Sequence, residues 1–261
     1  MSQETELPAN ATAGELTAHD RVISGYHEIT SAAGHANAAI EYRTATLGLQ
    51  RGLGDWLEVS GKRVLDLGCG TGELCWLARE RGASLVVGVN LSQGEIDFAR
   101  PQVNAQFVCQ DILQYLRGCE DGGFDRIFAL NILEHLEKDL LVAVLEQARR
   151  CLADGGTLVA MVPNATSAYG SMTRYWDITH CIAFTPSAVN QLTRLCGFSA
   201  AEFREWGPVP HGIVSATRYV IWQVIRAITW FRLTVETGGG KGGIYTADML
   251  FRLSRRADSA R

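Results

Sequence analysis

The stretch Asp66-Leu67-Gly68-Cys69-Gly70-Thr71-Gly72 sets glycines at every second position behind a carboxylate. Glycine admits positive backbone torsions and, lacking a Cβ, lets the main chain approach a ligand closely. A nicotinamide dinucleotide site would need Gly-x-Gly-x-x-Gly, hence glycine where this chain has Glu73, an anion poorly placed beside a pyrophosphate. A purely structural strand-to-helix turn is the competing reading. Asn90 ends the apolar run Val86-Val87-Gly88-Val89, at a strand tip where many nucleotide-binding folds hold a ribose with a carboxylate. Its amide has one acceptor and two donors, whereas a carboxylate accepts from two hydroxyls together. Weaker ribose binding is expected, tightened by Asn90→Asp; a neutral tip also tolerates a 2′-phosphate. His135, in the run NILEHL at 131–136, and His180, in Asp177-Ile178-Thr179-His180, titrate near neutrality and suit removal of a hydroxyl proton.

The elements that must position these residues follow from apolar periodicity. A short apolar strand at 63–67 runs into the glycines, and Leu74, Leu77 and Ala78 mark the helix beyond them. Strands at 85–89, 106–109, 124–130 and 157–162 alternate with helices at 93–100, 112–116 and 138–152, the turn Asp154-Gly155-Gly156 preceding the fifth strand. This alternation predicts right-handed crossovers and a mostly parallel sheet covered on both faces. After Pro163 come an irregular polar and aromatic stretch, a helix at 186–196, and strands near 202–206 and 247–253.

From about Lys62 to Phe198 the chain resembles the class I S-adenosylmethionine-dependent methyltransferases. The resemblance rests on VLDLGCGTGELCWLA at 64–78, FVCQDI at 107–112, NILEHL at 131–136 and DGGTLV at 154–159. It implies a Rossmann-like α/β fold: a seven-stranded, mostly parallel, doubly wound sheet with a helical N-terminal lead-in and a C-terminal insertion between the last two strands. It implies S-adenosyl-L-methionine as cofactor, with Asp66, Gly68, Cys69, Gly70 and Gly72 around the methionine portion. Asn90 and Leu91 then meet the ribose, Asp111 and Ile112 the adenine, and Asn131 follows the fourth strand. That cofactor carries a cation and no phosphate, so Glu73 is no handicap and Asp66 has an electrostatic role. Local capping is the alternative for Asp66, and an ordinary helix cap for Asp111. The organisation expected is a flexible tail at 1–14 and one methyltransferase domain at 15–261. Within it lie the lead-in (15–60), cofactor-binding core (62–162), substrate loop (163–185) and insertion (207–246).

Ligands of open α/β sheets bind beyond the carboxyl ends of the strands, so His135 and His180 face the reacting group as candidate catalytic residues. Tyr169, Tyr175 and Trp176 are candidate walls of the substrate pocket. The segment DITHCIAFTP at 177–186 resembles methyltransferases related to ubiquinone biosynthesis and to glycan or O-antigen modification, where the histidine organises the substrate loop. The expected acceptor is a hydroxyl of a sugar, glycan precursor or small metabolite. Nitrogen, carbon or quinone-like lipid acceptors, a non-catalytic cofactor-binding protein and an NADP oxidoreductase remain open. No metal is expected, because the fourth strand leads to Asn131, Glu134 and His135 without a set of carboxylates.

Net charge of −4 gives no basic footprint, which argues against nucleic acid. Seven cysteines without a Cys-x-x-Cys pair indicate reduced thiols, and the polar N-terminus lacks a secretion signal, so a cytoplasmic location is expected. The apolar segment 213–235 is interrupted by Arg218, Gln223, Arg226 and Arg232 and is not expected to span a membrane. Its Val220, Ile221, Val224, Ile225, Ile228 and Phe231 line one face. That face reads as core or homodimer contact; with Trp222 and Trp230 it also suits a lipid-linked acceptor or membrane surface. In the lead-in, His27, His35, Tyr42 and Arg43 read as covering the cofactor or as structural.

Overall fold

A computed structural model describes residues 41–238 and 243–256, all within one compact unit, Ala39–Arg261. The expected tail, most of the lead-in, His27 and His35 lie outside the described residues. The described lead-in is α1 (Tyr42–Ala45) and α2 (Leu47–Leu53), closed by a 3-10 turn at Gly54–Leu57. Then follow β1 (Arg63–Leu67), α3 (Glu73–Glu80), β2 (Leu85–Asn90), α4 (Gln93–Ala99), β3 (Gln106–Cys109) and α5 (Ile112–Gly118). Next come β4 (Phe124–Leu130), α6 (Lys138–Cys151), β5 (Leu152–Pro163), α7 (Gly170–Tyr175) and α8 (Pro186–Leu195). β6 (Ala200–Glu205), α9 (Ile213–Thr237) and β7 (Asp248–Ser254) complete the order.

The strands form one sheet in the order β3-β2-β1-β4-β5-β7-β6, with β7 antiparallel to both neighbours and the other neighbouring pairs parallel. Because β6 ends where β7 begins, the insertion leaves and rejoins the sheet at its carboxyl edge without a crossover. Strand order reverses between β1 and β4, which opens a crevice at that same edge.

Both faces are buried, as the apolar runs require. Leu65, Leu67, Val87, Val89, Ile127 and Ala129 pack with Leu116, Leu141, Val144 and Leu145 of α5 and α6. Their neighbours along the strands, Val64, Val86 and Phe128, pack oppositely with Leu74, Leu77, Ala78 and Ile96 of α3 and α4. Each buried Val, Leu, Ile or Phe among them contributes about 1.5–3 kcal/mol, so this alternation anchors the strand tips.

Two elements differ from expectation. The turn at 154–156 lies inside β5: Phe124 pairs with Leu152, and pairing resumes at Arg126 with Thr157, so residues 153–156 loop out of the ladder opposite Asp125. Gly155 takes φ 71°, and a Cβ on Gly156 would lie 2.8 Å from the Ala153 carbonyl. The core reading of the 213–235 face is overturned, since Ser215 is the only buried residue among those described in α9. Val220, Ile221, Val224, Ile228 and Phe231 are exposed. Helices α3 to α6 already cover the sheet core, leaving α9 at the edge, where Arg226 pairs with Glu205 at 3.2 Å. Among the described residues, no helix is long and apolar enough to cross a membrane.

Candidate active site

At the end of β1 the chain turns through Gly68, Gly70 and Gly72 with φ of 74°, 50° and 87°. A Cβ on Gly68 would meet the Ile132 side chain at 3.0 Å, so the loop packs directly on the segment after β4. The Tyr42 hydroxyl donates to the Thr71 carbonyl at 2.7 Å, tying α1 to this loop. Thr71 Oγ1 donates to Glu73 at 2.8 Å, which holds that carboxylate within the first turn of α3. Asp66 is buried and accepts a hydrogen bond from Cys75 Sγ at 3.6 Å. Burial pushes its pKa up to about 7, against the lowering effect of the Cys75 hydrogen bond and with a smaller push from the Glu73 charge.

Gly88 faces Asp66 in the β1–β2 register, and a Cβ there would lie 2.8 Å from Cys69 Sγ and 2.9 Å from Cys75 Sγ. The glycine inside β2 therefore makes room for two thiols beneath the loop. Strand periodicity gives no sign of this requirement.

Asn90 is buried, and its Nδ2 donates to Glu95 Oε2 at 2.6 Å. The carboxylate missing from the strand tip is thus present five residues later, in the first turn of α4. The pattern Ser92-x-x-Glu95 carried a signal, since Ser92 caps α4 by accepting from the Glu95 N–H. Glu95 turns its side chain to Asn90. Leu91 is exposed beside this pair. Asp111 Oδ1 accepts from the Gln114 N–H at 2.9 Å, so the helix-cap role is present, with Ile112 buried next to it. Asn131 is exposed and has φ 54°, a torsion uncommon outside glycine, while its N–H bonds the Met161 carbonyl at 3.0 Å.

His135 and His180 come together. Glu134 and His135 sit in the 3-10 turn Leu133–His135 after β4. The Glu134 carbonyl accepts from the N–H groups of Cys181 at 2.8 Å and Ile182 at 3.2 Å, which folds the post-β5 segment back onto that turn. The imidazole centroids lie 4.8 Å apart at 71°. His135 Nδ1 lies 2.6 Å from Thr179 Oγ1, and that hydroxyl donates to the Asp177 carboxylate at 2.7 Å. The hydroxyl has one proton, so His135 Nδ1–H is the donor to it. His180 Nδ1 lies 3.0 Å from the Thr173 carbonyl, which can only accept. Both neutral rings therefore carry their lone pair on Nε2.

Glu134 is almost wholly buried, and its Oε2 has no hydrogen-bond partner. Burial pushes its pKa up to about 8; a backbone hydrogen bond opposes this, and the charges of Asp248 and Asp177 add to it. Tyr169, Tyr175 and Trp176 are exposed, with Arg174 stacked 5.1 Å from the Tyr175 ring centroid. They do not form a closed wall. Sequence reasoning missed Glu134 as a member of the cluster, because its partner His180 belongs to a segment after the next strand.

This chain matches the family model described as a methyltransferase domain over residues 40–205, more than half its length. It belongs to that family, the class I S-adenosylmethionine-dependent methyltransferases. Its fold is similar to a solved S-adenosylmethionine-dependent methyltransferase from Archaeoglobus fulgidus, with TM-score 0.63 and 20% identity, covering 88% of this chain and 100% of that one. Methyltransferase GfsG of Streptomyces halstedii is 36% identical over 110 residues, 39% of this chain and 38% of that protein. The mitochondrial ubiquinone biosynthesis O-methyltransferase of Schizosaccharomyces pombe is 33% identical over 97 residues, 34% of this chain and 35% of that protein. The chain thus spans little more than a third of either curated relative.

Proposed function

We propose that the protein transfers the methyl group of S-adenosylmethionine to a hydroxyl oxygen of a sugar, glycan precursor or small metabolite. When bound, the cofactor supplies a methyl carbon that leaves sulfur for the acceptor oxygen, so a sulfonium becomes a thioether and the hydroxyl proton must be taken up. Asp66, Gly68, Cys69, Gly70 and Gly72 hold the methionine portion, the Asp66 carboxylate favouring its cationic groups. Asn90 turns Oδ1 to the ribose while Glu95 holds its amide nitrogen, and Leu91 lies alongside. The second Asp111 oxygen takes the adenine amine, Ile112 packs on the ring, and Asn131 borders the reacting edge.

The carrying observation is the Glu134–His135–His180 cluster beyond β4 and β5, linked to the glycine loop through Ile132. Two Nε2 lone pairs and a buried carboxyl are the equipment for an acceptor that must lose a proton as the bond to carbon forms. The exposed Tyr169, Tyr175 and Trp176 become pocket walls once an acceptor lies against them. All seven cysteines are free thiols, which supports a reduced, cytoplasmic setting. A lipid-linked acceptor is the second reading, favoured by the uncovered apolar face of α9, which is anchored at the carboxyl edge of the sheet.

Trials of hydroxylated acceptors, scored by S-adenosylhomocysteine release, test this reading. With the acceptor found, His180→Ala should slow turnover far more than it weakens cofactor binding. Unchanged turnover would remove the cluster from the reaction, and preferential methylation of amines would overturn the hydroxyl assignment.

A further inference from the structure

We propose that Glu134, His135 and His180 form a binding site for one divalent first-row transition-metal ion. One ligand atom from each residue lies within 4.8 Å of the others, close enough for a single ion to collect all three after small side-chain adjustments. Independent support comes from Glu134 Oε2, which is buried and has no hydrogen-bond partner. A buried polar group without a partner is destabilising, and more so when charged, unless something in the site binds it. A cation in the cluster is such a partner.

The hydrogen bonds behind the two rings have the form that metal sites use. Each imidazole has its Nδ1 proton held by an outer partner, His180 by the Thr173 carbonyl and His135 by Thr179, which is itself held by Asp177, so Nε2 is the nitrogen left to bind an ion. Outer partners of this kind fix the tautomer and ring orientation and make the remaining nitrogen a better ligand.

Two imidazole nitrogens and one carboxylate suit Zn2+, Co2+, Fe2+ or Mn2+, whereas Mg2+ and Ca2+ favour all-oxygen sets. Three protein ligands leave room for an acceptor hydroxyl at an open position, where the ion would lower the hydroxyl pKa. This deepens the acceptor-site reading: with both imidazoles on the ion, the metal-bound hydroxyl would give its proton to solvent water instead of to a bare imidazole base. Ion binding is measured without cofactor or acceptor, so it succeeds or fails separately from methyl transfer.

The test is titration of chelator-treated full chain with Co2+, followed by visible absorption, and with Zn2+, Mn2+ and Mg2+ by calorimetry. One transition-metal ion should bind this site, with Mg2+ clearly weaker. Glu134→Gln and His180→Ala should each lose at least about tenfold in affinity, and Thr179→Val about ten- to a hundredfold. His211→Ala, which removes an exposed imidazole outside the cluster, should bind as wild type does. Cooperative melting establishes that each variant is folded, and X-ray absorption of the Zn2+ form of the wild type should count two imidazoles. Failure of the folded wild type to bind, preference for Mg2+, binding undiminished in both ligand variants, or a shell without imidazole would each overturn the site.

Discussion

Replacing Asn90 with aspartate sets two carboxylates against each other. The wild-type amide donates to Glu95 at 2.6 Å from a buried position, whereas an aspartate there offers only an acceptor to an acceptor. Two unit charges about 4 Å apart repel by ~4 kcal/mol at an effective dielectric of ~20, and by ~1 kcal/mol in water. Glu95 is half-buried, so the repulsion falls between these limits, and the lost charge-assisted hydrogen bond adds about 1.5–3 kcal/mol. The predicted cost is about 2.5–7 kcal/mol near neutral pH, read by urea unfolding, together with weaker S-adenosylhomocysteine binding by calorimetry. This reverses the sign expected from the strand tip alone.

One carboxyl of the new pair would have its folded pKa raised above its unfolded value. The variant therefore approaches wild-type stability at about pH 4 and falls behind as pH rises. Adding Glu95→Gln restores a donor and an acceptor with roles exchanged, and should recover most of the loss. An Asn90→Asp chain as stable as wild type and with tighter ligand binding would refute the assigned role of Glu95.

Three further outcomes follow from the loop. Gly88→Ala drives a methyl group against the Cys69 and Cys75 sulfurs; a loss of about 1–3 kcal/mol and weaker cofactor binding are expected, and unchanged thermal melting would contradict the packing. Tyr42→Phe removes the bond to Thr71 and should cost about 0.5–1.5 kcal/mol, with cofactor affinity falling; equal stability and affinity would make α1 a bystander. The Asp66 carboxyl is raised to about 7, so its contribution to ligand-free stability is fully present below its unfolded pKa and is lost as pH rises through about 7. Asp66→Asn should flatten that decline. S-adenosylmethionine should bind more tightly at about pH 8 than at about pH 6, with proton release detected in buffers of different ionisation enthalpy; pH-independent affinity without release would count against Asp66 as the cation's partner.

The strands themselves and the glycine loop were legible because local sequence encodes them. Val64-Leu65 and Val86-Val87 bury both faces of central strands, and the spacing of Gly68, Gly70 and Gly72 reports torsions set within the loop itself. Side-chain pairing across the fold was not legible. The demand on Gly88 comes from thiols on β1's loop and α3, and His180, the cluster neighbour of Glu134, follows α6, β5 and α7 in the chain. Glu95 is the intermediate case: its place after Ser92 marks a helix start, but its choice of Asn90 over the cap nitrogen depends on where β2 ends. The amphipathic pattern of α9 was legible too. Periodicity tells which residues share a face, not what covers it, and here the described protein leaves it uncovered.

The central claim is that the glycine loop, Asn90 and Asp111 together form a site for S-adenosylmethionine. Calorimetric titration of the folded chain with S-adenosylhomocysteine, and separately with NADP, tests it most directly. Saturable binding of S-adenosylhomocysteine, weakened by Asp66→Asn and by Asp111→Ala, with no heat from NADP, is the predicted result. Binding of NADP without binding of S-adenosylhomocysteine would contradict the account.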